Sequence, residues 1–161
     1  MIASFYRPYL DNSRPIDITV VGFNGGKSTF VKAILDSRKE NSGTRILHIN
    51  DKKVSLYLTT IPYQFAIGER IGFVVCNTTV LARLLEVDAH VEDLRKNNIT
   101  RIYLLATFAD KARERSIPAS SLEYKAIALN LAGVVEVNCL DKRDVKEALK
   151  QVVEDILAFN Q

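Results

Sequence analysis

Residues 16–29, IDITVVGFNGGKST, constrain this chain more than any other stretch. An apolar run from Ile16 to Val21 breaks at Gly22, then spells Gly25-Gly26-Lys27-Ser28-Thr29 and passes straight into a pattern with helical spacing. Strand, glycine loop, Lys-Ser and helix, in that order, is the layout of a phosphate-binding loop. Glycines let backbone N–H groups curl around an anion, and the helix N-terminus adds partial positive charge. The lysine reaches the outer phosphates, and the hydroxyl after it can hold Mg²⁺. The candidate binding set here is Gly22, Gly25, Gly26, Lys27, Ser28 and Thr29, with Ser28 as the metal ligand. The spacing departs from the usual one, because three residues instead of four separate Gly22 from Gly26. Either the loop is one residue short or Val21 takes the first glycine's place. Lys27 can also be read as a surface lysine opening a helix, and Ser28 and Thr29 as capping hydroxyls.

At 161 residues the chain is long enough to bury one core, and 47% hydrophobic with 25% charged residues is ordinary for a globular domain. A net charge of +3 does not call for nucleic acid, although it tolerates an acidic partner. Cys76 and Cys139 stand alone in apolar runs without metal spacing, so they read as reduced, buried thiols. His48 and His90 have no second ligand at metal spacing and read as packing or surface residues. No apolar run has the length of a membrane span, the first residues do not read as a signal peptide, and no lipidation motif is visible. The expectation is a protein of the nucleus or cytosol with no membrane partner.

Residues 1–15 read as a leader lying on the fold, and residues 16–161 as one domain. Strand one covers 16–22 and helix one 27–39. Two strands, 45–50 and 53–60, are joined by Asp51-Lys52 as an antiparallel hairpin. A buried strand spans 71–76, and a helix over 79–97 has Leu81, Leu84, Leu85, Val91 and Leu94 inward. A strand at 101–107, a charged loop at 108–118 and a helix at 120–132 stopped by Gly133 follow. A strand at 134–139 and a helix at 141–159 complete the chain. Helices alternating with apolar strands predict an α/β fold with a mostly parallel six-stranded sheet, one antiparallel edge strand, and helices on both faces.

This order, with a phosphate loop after strand one, resembles the small-GTPase fold. The family's other signatures can be sought position by position. A guanine-reading Asn-Lys-x-Asp belongs after the strand at 101–106, where this chain reads Thr107-Phe108-Ala109-Asp110. Asp110 occupies the place of the aspartate that pairs with guanine, and joins the candidate binding set. The Ser-Ala-Lys loop is replaced by Asn138-Cys139-Leu140. A hydrolysing member needs Asp-x-x-Gly at the end of strand three, to hold the metal's water and sense the γ-phosphate. This chain has Leu58-Thr59-Thr60-Ile61-Pro62-Tyr63, with no carboxylate and with a proline, which has no N–H, near the glycine's position. Thr44 is a candidate switch threonine, and Gln64 lies near a catalytic glutamine's place. The fold therefore arrives without the hydrolysis machinery.

A second resemblance goes further. Arg7-Pro8, the strand ending Val20-Val21-Gly22, Phe73-Val74-Val75 with Asn77, Val87-Asp88-Ala89, Leu104-Leu105-Ala106-Thr107 and Ser116-Ile117 occur in the order found in the centromere protein M family. The chain is similar to that pseudo-GTPase family across most of the domain. The resemblance implies a non-switching fold that serves as a structural subunit of the inner kinetochore, in the constitutive centromere-associated network. It implies centromere protein I as partner, in an assembly with centromere proteins H and K, and no direct nucleic-acid contact. Vertebrate members lack the Lys-Ser of the loop, whereas this chain keeps Gly26-Lys27-Ser28-Thr29. Inability to bind nucleotide is therefore not carried over. The alternative is an atypical small GTPase that holds GTP or GDP with Mg²⁺ through residues 25–29 and Asp110.

Overall fold

The computed structural model describes residues 14–22, 27–35, 43–49, 52–59, 69–107 and 112–159. They form β1 (Arg14–Gly22), α1 (Lys27–Leu35), β2 (Gly43–Ile49), β3 (Lys52–Thr59), β4 (Glu69–Asn77), α2 (Ala82–Lys96), β5 (Arg101–Thr107), a 3₁₀ turn (Ala112–Glu114), α3 (Ala119–Ala128), β6 (Gly133–Glu136) and α4 (Lys142–Phe159). One six-stranded sheet runs β2-β3-β1-β4-β5-β6. Every pairing is parallel except β2 with β3, the hairpin edge. This is the expected α/β architecture, a small-GTPase-like fold.

The two faces are covered by different helix pairs. On one face, Phe30 and Ile34 of α1 and Val145, Leu149, Val153 and Ile156 of α4 pack over Ile18, Leu56, Phe73 and Leu105. Phe73 centres this layer, meeting Phe30 and Tyr103 edge-on at 5.6 and 5.9 Å between ring centres. On the other face, Val87, Val91 and Leu94 of α2 and Leu122 of α3 pack over Val74, Cys76, Ile102 and Leu104. The half of that face over β1 and β3 is polar: Asp17, Thr19, Ser55 and Thr59 are all buried there. Strand alternation separates them from Ile16, Ile18 and Val20, which point to the apolar side.

Several sequence expectations shift. β1 begins at Arg14, inside the expected leader. Pro15 is tolerated because it lies where β1 pairs only with β3, the β4 ladder starting at Ile16. Lys52 belongs to β3 and not to the turn, and the extension of helix one to Lys39 lies outside the described residues. The inward face of α2 is rotated from expectation. Val87, Val91 and Leu94 are buried, whereas Leu81 and Leu85 are 60% and 76% exposed. α3 stops at Ala128 instead of running to Ala132, because Asn130 takes a left-handed φ of 55°. Leu131 then donates to the Ala126 carbonyl, closing the end. α2 ends the same way on Asn98, at φ 63°, with Ile99 donating to Leu94. Gly133 is thus not a helix stop but the first residue of β6, which ends at Glu136 and not Cys139. No helix among the described residues is long and apolar enough to cross a membrane.

Candidate functional site

The loop is framed by β1 and α1. Gly22 is the last residue of β1, paired with Val75 of β4, and has φ 147°. A Cβ there would lie 2.8 Å from the Val75 carbonyl oxygen, so the backbone admits only glycine. Val21 is ordinary strand, paired with Val74. The glycine-demanding position is therefore Gly22, and the loop to Lys27 is the short version of the two that the spacing left open. Lys27 is the first residue of α1, half-buried, and its ammonium bonds to no described residue. Thr29 is exposed one turn into the helix. Gly25, Gly26, Asp110, Gln64 and the side chains of Ser28 and Thr44 lie outside the described residues.

The carboxyl ends of β4 and β5, beside the positions compared above with the guanine-reading motif, are knitted together. Thr107, in the place of the guanine-site asparagine, is fully buried. Its hydroxyl donates to the Cys76 carbonyl at 3.3 Å. Thr78 donates from both its N–H, at 3.4 Å, and its hydroxyl, at 2.8 Å, to the Thr107 carbonyl. The Thr78 carbonyl in turn accepts from the N–H groups of Ser116 and Ile117. Asn77 turns its carboxamide oxygen back onto the Thr79 N–H and hydroxyl, at 2.9 and 2.7 Å. Arg115, in the stretch read from sequence as a charged loop, holds Glu136 at 2.5 Å and the Ile117 carbonyl. Among the described residues of this edge, the side chains of Asn77, Thr78, Thr107 and Arg115 are bonded within the protein.

The segment after β6 is closed in the same manner. Asp141 caps α4 through the Arg143 N–H at 2.9 Å, Asp144 accepts from the Asn138 N–H at 2.6 Å, and Asn138 accepts from the Leu140 N–H at 3.1 Å. Cys139 is buried and Leu140 is 73% exposed. Neither cysteine is in a disulfide and both are buried, as expected, and burial pushes the Cys76 thiol up to about 11, which leaves it a poor nucleophile.

Sequence reading missed Asp17. Its carboxylate is buried on the polar half-face, and its Oδ1 has no hydrogen-bond partner among the described residues. Burial raises its pKa above the usual carboxylate range, and Arg70, its cross-strand neighbour on β4, partly offsets the rise. The signal was present as a lone acid in an apolar strand. Among the described residues, Lys27 and the Gly22 turn suit a phosphate, whereas the buried Thr107 presents no side chain to a base. No carboxylate occurs between Asp51 and Glu69 to support a metal from β3, and no group of metal-ligating side chains is found among the described residues. Compared with protein-family models and with curated proteins, the chain matches none.

Proposed function

We propose that this chain is a non-catalytic pseudo-GTPase that works as a protein-binding subunit, of the kind that centromere protein M provides to the inner kinetochore. The observation that carries the reading is the Thr78–Thr107–Ser116 knot at the base-reading edge, where a switch GTPase keeps side chains available for its nucleotide. The absence of any acid between residues 51 and 69 supports it, because hydrolysis needs a carboxylate near the metal's water. The residues that carry the resemblance fall mainly in packed places. Phe73, Val74 and Val75 are core residues of β4, and Leu104 to Thr107 close β5 on that knot. On this reading the partners are centromere proteins I, H and K, and the location is the nuclear centromere. Purified protein should stay associated with those subunits and should show no GTP turnover above background. Turnover that disappears in Lys27→Ala would overturn the proposal.

The second reading, nucleotide binding without hydrolysis, is favoured by the free ammonium of Lys27 at the start of α1. It requires GDP, GTP or ATP with Mg²⁺ to raise the melting temperature, since a ligand that binds only the folded state stabilises it. A flat titration with all three removes it.

A further inference from the structure

The outer surface of α2 and α3 carries apolar side chains that the core does not use. Leu85 and Tyr124 are each 76% exposed, and Leu81 is 60% exposed. Leu81, the N-cap of α2, and Leu85 are one turn apart, and Tyr124 stands on α3 beside a hollow of about 410 Å³ shared with Leu84 and Ala128. A second hollow of about 540 Å³ continues along α2 past Val91 and Arg95 to Leu129. The Lys125–Asp88 ion pair, at 2.8 Å, links them, Lys125 lining the first and Asp88 the second. From Leu84 to Arg95 the track follows three turns of α2, roughly 16 Å at 1.5 Å per residue. That length suits a short helix seated by side chains at i, i+4 and i+7.

The charges of the track choose between occupants. Asp88 is matched by Lys125, and Glu92 by Lys96 at 3.3 Å. Among the described residues Arg95 is matched by a carbonyl, that of Leu129, and by no carboxylate, so the track is left with one positive charge. The apolar end lies at the start of the helices and the cationic end at the finish of α2.

We propose that this track is a docking groove for an acidic amphipathic α-helix, with apolar anchors over Leu81, Leu85 and Tyr124 and a carboxylate meeting Arg95. The inference rests on the scaffold reading, in which the surface and not the loop does the binding. It is tested with two fluorescent 16-residue model peptides of identical apolar spacing, one of leucine and glutamate and one of leucine and lysine, titrated into the full chain. The leucine–glutamate peptide should bind at least about tenfold more tightly. Leu85→Glu and Tyr124→Glu should each weaken it by about tenfold or more without lowering the melting temperature, since both side chains are exposed. Arg95→Glu should lower the preference between the peptides, and amide shifts should map to α2 and α3. Equal binding of both peptides, unchanged binding in Leu85→Glu and Tyr124→Glu, or shifts that map elsewhere would overturn the groove. A failed peptide assay with kinetochore co-purification intact removes the groove alone, whereas GTP turnover lost in Lys27→Ala removes the scaffold reading.

Discussion

Replacing Gly22 by alanine tests the most constrained point of the loop. At φ 147° a residue with a Cβ sits in a region essentially reserved for glycine, which costs of order 1–3 kcal/mol. The added carbon also lies 2.8 Å from the Val75 carbonyl oxygen and 3.0 Å from the Val75 Cβ. These atoms belong to a central strand, paired with β1 on one side and β5 on the other, so they cannot swing away. Overpacking of this kind costs about 1–3 kcal/mol more. A total of about 4 kcal/mol lowers the melting temperature of a domain this size by about 8–16 °C. Two alanines provide the scale. Gly72→Ala meets Leu94 Cδ1 at 2.7 Å, the movable end of a side chain, and should cost about 1–2 kcal/mol. Gly133→Ala meets nothing closer than Tyr103 at 3.7 Å and should stay within about 0.5 kcal/mol of the parent. Thermal melts followed by circular dichroism rank the three. If Gly22→Ala melts within about 3 °C of the parent, or no lower than Gly133→Ala, the assignment of Gly22 as the loop's obligatory glycine is wrong.

Asp17→Asn should stabilise the protein at pH 7. A carboxyl whose folded pKa is raised stabilises the fold below its unfolded pKa and loses that contribution as pH rises through the folded value. The gain in melting temperature should therefore shrink toward pH 4, and a loss at pH 7 larger than at pH 4 would refute the cause assigned. Tyr103 donates to Asp155 at 2.6 Å, and burial, aided by that bond, pushes its phenol up to about 12. One tyrosine should resist ionisation in an ultraviolet titration until about pH 12. Tyr103→Phe should remove that late step and cost about 1–2 kcal/mol. Asn130→Ala should cost about 1–2 kcal/mol for its left-handed φ, and Asn130→Gly should be neutral or slightly stabilising, as read by urea midpoints.

The alternation of strands and helices, the antiparallel edge and the two-faced helix cover were legible because the apolar runs of β1, β4 and β5 are each fixed by what must cover them. Helix rotation was not. The leucines of α2 at 81, 84 and 85 suggest an inward stripe, but the core is met by Leu84 with Val87, Val91 and Leu94, and two leucines are left outside. Leucine content marks a helix without saying which arc meets the sheet; Gly72, whose missing Cβ lets Leu94 approach, is the sheet's half of that information. The end of α3, expected at Gly133, was misread for a related reason, whereas α2 ends where the sequence placed it, at Asn97. Asn130 closes α3 in the conformation for which a glycine was sought, as Asn98 does after α2, since a short polar side chain tolerates left-handed φ. The loop shows the deepest limit of motif reading. Gly22 is demanded by its contact with Val75 whatever the loop binds, so its presence reports the packing of β1 against β4 and not a nucleotide. Thr107 points the same way from the opposite end of the site: a residue lying where the motif places a ligand contact is used to tie β5 to β4. The fold keeps these positions for its own closure, and Lys27 alone among the described loop residues has a charged group left to offer a phosphate.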